Sequence, residues 1–347
     1  MADVSNDKHE PAVAEANVSN TSQSSLSNGD NEKATPTTQI VDVERAGETQ
    51  GYILDEAKLR EQLGLGANAV LKKSNGKVLI PQPTDNPDDP LNWSTWKKLA
   101  ILVVLSVNAA TADYSAATGA SALLPQAQQW HISPNTVNHA TAGNTFMLGV
   151  GGLATVWLSA WAGRLPVLFW FGCLSAGTAA WAAAAKSFES YMAARILNGF
   201  FSVAAAGGGL MWIKDVWFFH EHPRKINIWS TAIILSPFLG PQFMAAILSV
   251  STWRTGMWLC FGLIMLGLLC TVLLGEETFY PRHLPQAQIK PLNPKTRPLR
   301  LIGVEQYRNN WTTNTLLGSG TRLIHTAMKL PVLLTCIFYF FDFPWTM

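Results

Sequence analysis

Cysteine is scarce in this chain: four residues in 347, at 173, 260, 270 and 336. All four lie inside apolar stretches and none forms a C-x-x-C pair. That pattern excludes a disulfide framework and a thiolate metal site, and leaves free thiols acting as small hydrophobes. Charge is also sparse, at 14% of residues, with a net formal charge of +2. The basic residues sit in loops rather than in a patch, so nucleic acid is not an expected partner. There is no phosphate-binding G-x-x-x-x-G-K-[ST] loop, no H-E-x-x-H and no G-x-S-x-G, so neither ATP-driven pumping nor an enzyme within the membrane has support. No cofactor and no metal are expected. The N-terminus, MADVSNDKHE, has no apolar core and is not a signal peptide.

What the chain does have is a series of long apolar runs. A hydrocarbon core of ~30 Å needs about 20 apolar residues in helical form. Six such runs fall at about 99–123, 136–160, 166–185, 190–213, 227–250 and 254–275, and a partial seventh at 330–347. The pattern predicts an all-α membrane protein: a six-helix bundle over 96–275, a linker over 276–329, and a seventh helix in which the chain is expected to stop short. Short connections at 124–135, 161–165, 186–189, 214–226 and 251–253 make neighbouring spans antiparallel.

Residues 1–95 read as a disordered polar tail. Within it, Ile53, Leu59 and Leu63 suggest a short amphipathic helix over 51–66. The four prolines of PQPTDNPDDPLNW (81–93) imply an extended, turning approach to the membrane.

Lys and Arg set the orientation. With the N-terminus inside, the inner segments hold Lys97, Lys98, Arg164, Lys214, Arg224, Lys225 and the basic residues of 276–329. The outer loops hold Lys186 and Arg254. A cytoplasmic N-terminus and linker follow, and Asn17, Asn20, Asn92 and Asn310, each in an N-x-S/T triplet, should carry no glycan.

Ionisable groups at membrane depth are costly and mark function. Asp113 lies about 14 residues, or ~21 Å, into the first span and could load a proton or cation. Asn108, Thr111, Ser115 and Thr118 form a polar stripe on the same helix. At 100° per residue Asp113 lies about 140° from Asn108, so stripe and carboxylate cannot both face one cavity; one of them must pack against other helices. Arg195, in the fourth span, either faces the bundle or snorkels outward. His139 lies near the outer end of the second span. Gly149, Gly151, Gly152 and Gly207–Gly209 suggest close helix packing. Pro237 and Pro241, four apart in the fifth span, each remove a backbone hydrogen bond; they give a kink, with or without a gating role. Trp93, Trp96, Trp130, Trp161, Trp217, Trp229 and Trp253 fit interfacial belts, and the deeper Trp212 suggests a cavity wall.

Several segments in order resemble fungal transporters of the major facilitator superfamily. They are DNPDDPLNWSTWKK (85–98) before the first span, Gly163-Arg164-Leu165-Pro166 after the second, Arg195-Ile196-Leu197-Asn198-Gly199 in the fourth, Leu239-Gly240-Pro241 in the fifth, Trp253-Arg254, and Glu277-Thr278-Phe279-Tyr280. The helix-five Gly-Pro pair resembles the drug:proton antiporter branch. The chain departs from the pattern at Ala160 and Val156, where the loop motif has Asp and Gly, and at Phe243, Met244 and Ala245, where a Gly pair usually follows.

The resemblance implies proton-coupled export of a small molecule by alternating access at the plasma membrane. It assigns Asp113 and Arg195 to proton coupling and Asn108, Asn144 and Asn198 to the substrate cavity. Pro237, Gly240 and Pro241 become a gating kink, with Gly163 and Arg164 the inner loop motif. Protons, a small-molecule substrate and the lipid bilayer are the expected partners, with a homodimer if the chain acts as half a transporter. A non-transporting product or membrane sensor is the competing reading.

Overall fold

The computed structural model describes residues 73–74, 77–81, 83–84, 86–280, 296–308 and 315–346. Of the tail expected to be disordered over 1–95, residues 1–72 lie outside them, as does the helix expected over 51–66, whereas most of 73–95 is described and carries the elements that follow. A two-residue hairpin, β1 (Lys73–Ser74) with β2 (Lys77–Val78), is followed by a 3-10 turn at Pro90–Asn92. Asp89 makes that turn: its carboxylate accepts from the Leu91 amide at 3.0 Å and from the Thr84 amide and hydroxyl at 3.0 and 2.9 Å. The segment before the first span is therefore folded onto the bundle rather than merely extended. The Phe219 amide donates to the Ile80 carbonyl, and the buried Lys98 donates to the Leu91 carbonyl.

The bundle comprises α1 (Thr95–Trp130), α2 (Pro134–Ala162), α3 (Arg164–Ala184), α4 (Phe188–Ser202), α5 (Ala204–Val216), α6 (His222–Leu248) and α7 (Trp253–Leu274). α4 and α5 together form one span, so among the described residues six helices are long and apolar enough to cross a membrane, or seven if the bent pair beyond α7 counts as one span. Ser133 and Ser187 begin α2 and α4 as side-chain caps, accepting from the amides of Thr136 and Ser190. Gly163, with φ of 98°, turns α2 directly into α3, a left-handed conformation that suits glycine.

The expected 124–135 connection is mostly helix instead: α1 continues through Pro125 to Trp130. Packing explains the extension. Trp130 sits 5.3–5.6 Å from the rings of Phe188, Tyr191 and Trp253, and the Trp253 indole donates to Gln129 Oε1 at 2.7 Å. This aromatic cluster outweighs the single hydrogen bond lost at the proline.

The spans differ sharply in how far they are enclosed. An eighteen-residue apolar stretch of α1 is 61% buried and one of α4–α5 is 56%, against 17% for both α2 and α6. α1 and α4–α5 are the axis of the bundle. Trp93, Trp217, Trp229 and Trp253, expected in interfacial belts, are buried inside the protein, whereas Trp96 and Trp161 are exposed. Trp212 packs in the core with Ile101, Leu105 and Ile213 rather than lining a cavity.

Beyond α7 the linker holds α8 (Arg297–Ile302), α9 (Val304–Arg308) and α10 (Leu316–Ala327). α11 (Leu330–Thr346) follows, bent 69° from α10 over the described part of the pair.

Candidate functional site

The polar stripe and the carboxylate of α1 part company. The stripe turns into the bundle. Arg195, 2% exposed, reaches α1 from α4: Nη1 donates to the Ser115 carbonyl at 2.8 Å and its hydroxyl at 3.2 Å, and Nη2 to the Ala116 carbonyl at 3.1 Å. Snorkelling is thereby ruled out for this arginine. Gly119 makes room for it, since a Cβ there would stand 3.2 Å from Nη2. The Ser115 hydroxyl donates to Asn198 Oδ1 at 3.2 Å. Asn198 Nδ2 donates onward to the Ser175 carbonyl at 3.0 Å and the Thr178 hydroxyl at 3.2 Å on α3. Asn144, on α2, donates to the Arg195 carbonyl at 2.6 Å.

Arg195, Asn144 and Asn198 thus form one network across α1, α2, α3 and α4, in which Asn144 Oδ1 and Arg195 Nε are buried without a hydrogen bond to the described residues. Arg195 was expected in proton coupling and the two asparagines in the substrate cavity; the hydrogen bonds these side chains make go to neighbouring helices. Among the described residues no acid pairs with Arg195, and its charge rests on the carbonyl dipoles of α1. Asn108 is likewise used in packing: Nδ2 donates to the Gly267 carbonyl and the Thr271 hydroxyl of α7, both at 3.1 Å. Close approach makes these bonds possible. A Cβ on Gly199 would collide with the Asn144 carbonyl, and one on Gly151 with the Phe200 carbonyl. Gly149, by contrast, has nothing within 4 Å.

Asp113 lies on the other face. It is eighteen residues after Thr95 and seventeen before Trp130, the middle of α1. The other acids of α1–α7, Glu189 and Asp215, each lie one residue from a helix end. Asp113 is half-buried and has no hydrogen bond or ion pair with the described residues. It shares a stripe with Val103, Ala110, Ala117, Ala120 and Leu124, all partly or fully exposed. His139 is exposed near the start of α2 and joins neither group.

α6 meets α1 at the Gly-Pro pair. A Cβ on Gly240 would lie 2.6 Å from the Tyr114 carbonyl, and the Ser121 hydroxyl donates to the Pro241 carbonyl at 3.1 Å. Pro237 deprives the Ile233 carbonyl of its helical donor, and the Ser236 hydroxyl takes over at 2.8 Å. α6 runs through both prolines as one helix.

The α2–α3 corner holds a second polar cluster. Gly163 and Arg164 meet two acids that the loop reading did not single out. Arg164 Nε pairs with Asp215 Oδ2 at 2.9 Å. Glu277, 3% exposed, accepts from the amides of Arg164 and Leu165 at 3.0 and 3.2 Å, from the Phe279 amide at 2.9 Å and from Gln306 Nε2 at 3.0 Å. A carboxylate at the first turn of α3 answers both the free amides and the helix dipole. Burial pushes the Glu277 carboxyl up, against the pull of those donors and of Arg164 towards the anion. The corner lacks an acid at Ala160 and draws its carboxylates from Asp215 and Glu277 instead. Position is the one signal for them in sequence: both acids lie at the same end of their spans as Arg164.

The model of the Major Facilitator Superfamily matches residues 103–345. Protein HOL1 of Saccharomyces cerevisiae is 31% identical over 216 residues, which cover 61% of this chain and 36% of that protein. The MFS-type transporter C1271.10c of Schizosaccharomyces pombe is 28% identical over 232 residues, 64% of this chain and 38% of that protein. The chain therefore spans less than two fifths of the length of either relative. Among solved structures, the proton:xylose symporter XylE aligns at 16% identity over 67% of this chain and 54% of its own, with a TM-score of 0.48. Six spans in this order, matched over most of their length by that family model, make this an integral multi-pass membrane protein that belongs to the Major Facilitator Superfamily.

Proposed function

We propose that the chain takes part in secondary transport of a small molecule by alternating access, with protons exchanged against substrate in the direction of export. The observation that carries this reading is Asp113. It is a carboxylate at the middle of the most enclosed helix, without a partner among the described residues, on the face that the other spans leave open. A titratable group so placed can exchange protons or hold a cationic substrate. Arg195 supports it indirectly, by locking α4 and its neighbours to the opposite face of α1. Gly240 and Pro241 supply the close, sparsely bonded contact along which α6 can shift, and the Gly163–Arg164 corner clamps one end of the bundle. The excess of Lys and Arg on the linker side supports a cytoplasmic N-terminus, and the plasma membrane is the proposed location.

The test is pH-gradient-driven flux in vesicles containing the full-length product. Asp113→Asn is expected to reduce gradient-driven flux at least tenfold. Unchanged gradient dependence in that variant would remove proton coupling at Asp113.

A second reading rests on α2 and α6. Phe146 and Phe238 are 70% and 72% exposed on helices that bury little of their surface. In this reading these faces pair in a homodimer, with or without transport. A strictly monomeric species in mild detergent would exclude it.

A further inference from the structure

The strongest feature outside the polar clusters is a groove of about 340 Å³ where α2 and α3 meet the linker. Leu158, Trp161 and Ala162 form one wall, Pro166, Val167, Trp170 and Phe171 the second, and Ile302, Gly303, Gln306 and Tyr307 of α8–α9 the third. Its size lies at the lower end for small-molecule sites, and its lining is mostly apolar, as such sites are.

The third wall is fixed in place. The Trp170 indole donates to the Ile302 carbonyl at 3.2 Å. Gly303, with φ of 98°, brings the α8–α9 turn against Pro166. Arg297 Nη2 donates to the Leu273 carbonyl at 2.6 Å and Nε pairs with Glu276 at 3.3 Å, while Arg300 pairs with Glu276 and Glu305 at 3.6 and 3.7 Å.

Three features identify an occupant. Two walls are the ends of membrane spans, so the groove opens at the depth of the lipid headgroups and upper chains. Trp161 and Trp170 stand at it 38% and 49% exposed, as indoles do at that depth. Glu276 and Glu305 are both tied in ion pairs, whereas Arg308, next to Tyr307 in α9, is exposed. An apolar slot at the bilayer surface, with an exposed arginine next in sequence to its lining residue Tyr307, suits a chain attached to an anionic head. We propose that the groove holds one acyl chain of an anionic phospholipid from the leaflet on the linker side, with its phosphate met by Arg308.

The experiment is native mass spectrometry of the full chain purified in mild detergent, with melting curves after adding back phosphatidylserine or phosphatidylcholine. The expected result is one retained anionic phospholipid and a melting shift at least twice as large with phosphatidylserine. Ala162→Trp, which narrows the groove, should lose the retained lipid and the shift. Arg308→Gln, at an exposed site that should not affect folding, should bind phosphatidylserine at least fivefold more weakly and keep binding phosphatidylcholine. The proposal is overturned if the wild type retains no phospholipid, as when the linker itself fills the groove. It is equally overturned if the two lipids act alike on the wild type, or if Arg308→Gln leaves the preference intact.

Discussion

α1 treats its two polar faces in opposite ways. On one face Ser115 is held between Arg195 and Asn198, so that its hydroxyl joins the amide to the guanidinium Nη1. On the other, Asp113 stands among small exposed residues without a described partner. A polar group that is satisfied inside a helix bundle specifies packing; one left unsatisfied at the same depth is costly and is kept for what it can bind. A different contrast separates Arg195, which rests on carbonyls with no acid partner among the described residues, from Arg164, paired with Asp215 beside a Glu277 that four N–H groups hold.

Substitutions can break this contrast, and the largest effect belongs to the satisfied face. Arg195→Ala leaves a cavity and strands the partners of the guanidinium, at a cost of about 2–4 kcal/mol. Thermal denaturation in detergent should show a large fall in midpoint; an unchanged midpoint would mean that the network does not hold the bundle. Gly199→Leu comes next, at about 1–3 kcal/mol, because its side chain must push α4 off the Asn144 carbonyl. Cross-linking between cysteines placed on α2 and α4 should weaken in parallel.

Glu277→Ala uncaps α3 and frees Gln306, for about 1–3 kcal/mol. It should also raise protease sensitivity in the linker around α8 and α9; cleavage at the wild-type rate would place the clamp elsewhere. Smallest on the structural side is Asn108→Ala, at about 0.6 kcal/mol and up to ~1.7, the range for hydrogen bonds between membrane helices. Asp113→Asn should change the melting midpoint least of all, since it removes no contact.

Much of this was legible in the residues. Apolar run length located all six spans, and helical periodicity required the stripe and Asp113 to face apart. Which of the two packs inward depends on what α4 presents, and no local pattern states that Arg195 and Asn198 will straddle Ser115. The extension of α1 past Pro125 was hidden for the same reason, because the aromatic cluster that favours it comes from residues 188–253. Glu277 was quoted only as part of a motif; its role depends on a corner more than a hundred residues earlier in the chain.

The most direct measurement compares Asp113→Cys with Ser115→Cys in a background without the four native cysteines. Both would be exposed to a charged, water-soluble thiol reagent in membranes. Ready modification is expected at 113 and none at 115. Protection at 113, or faster modification at 115, would contradict it, because Asp113 would then face lipid or protein rather than a water-filled path.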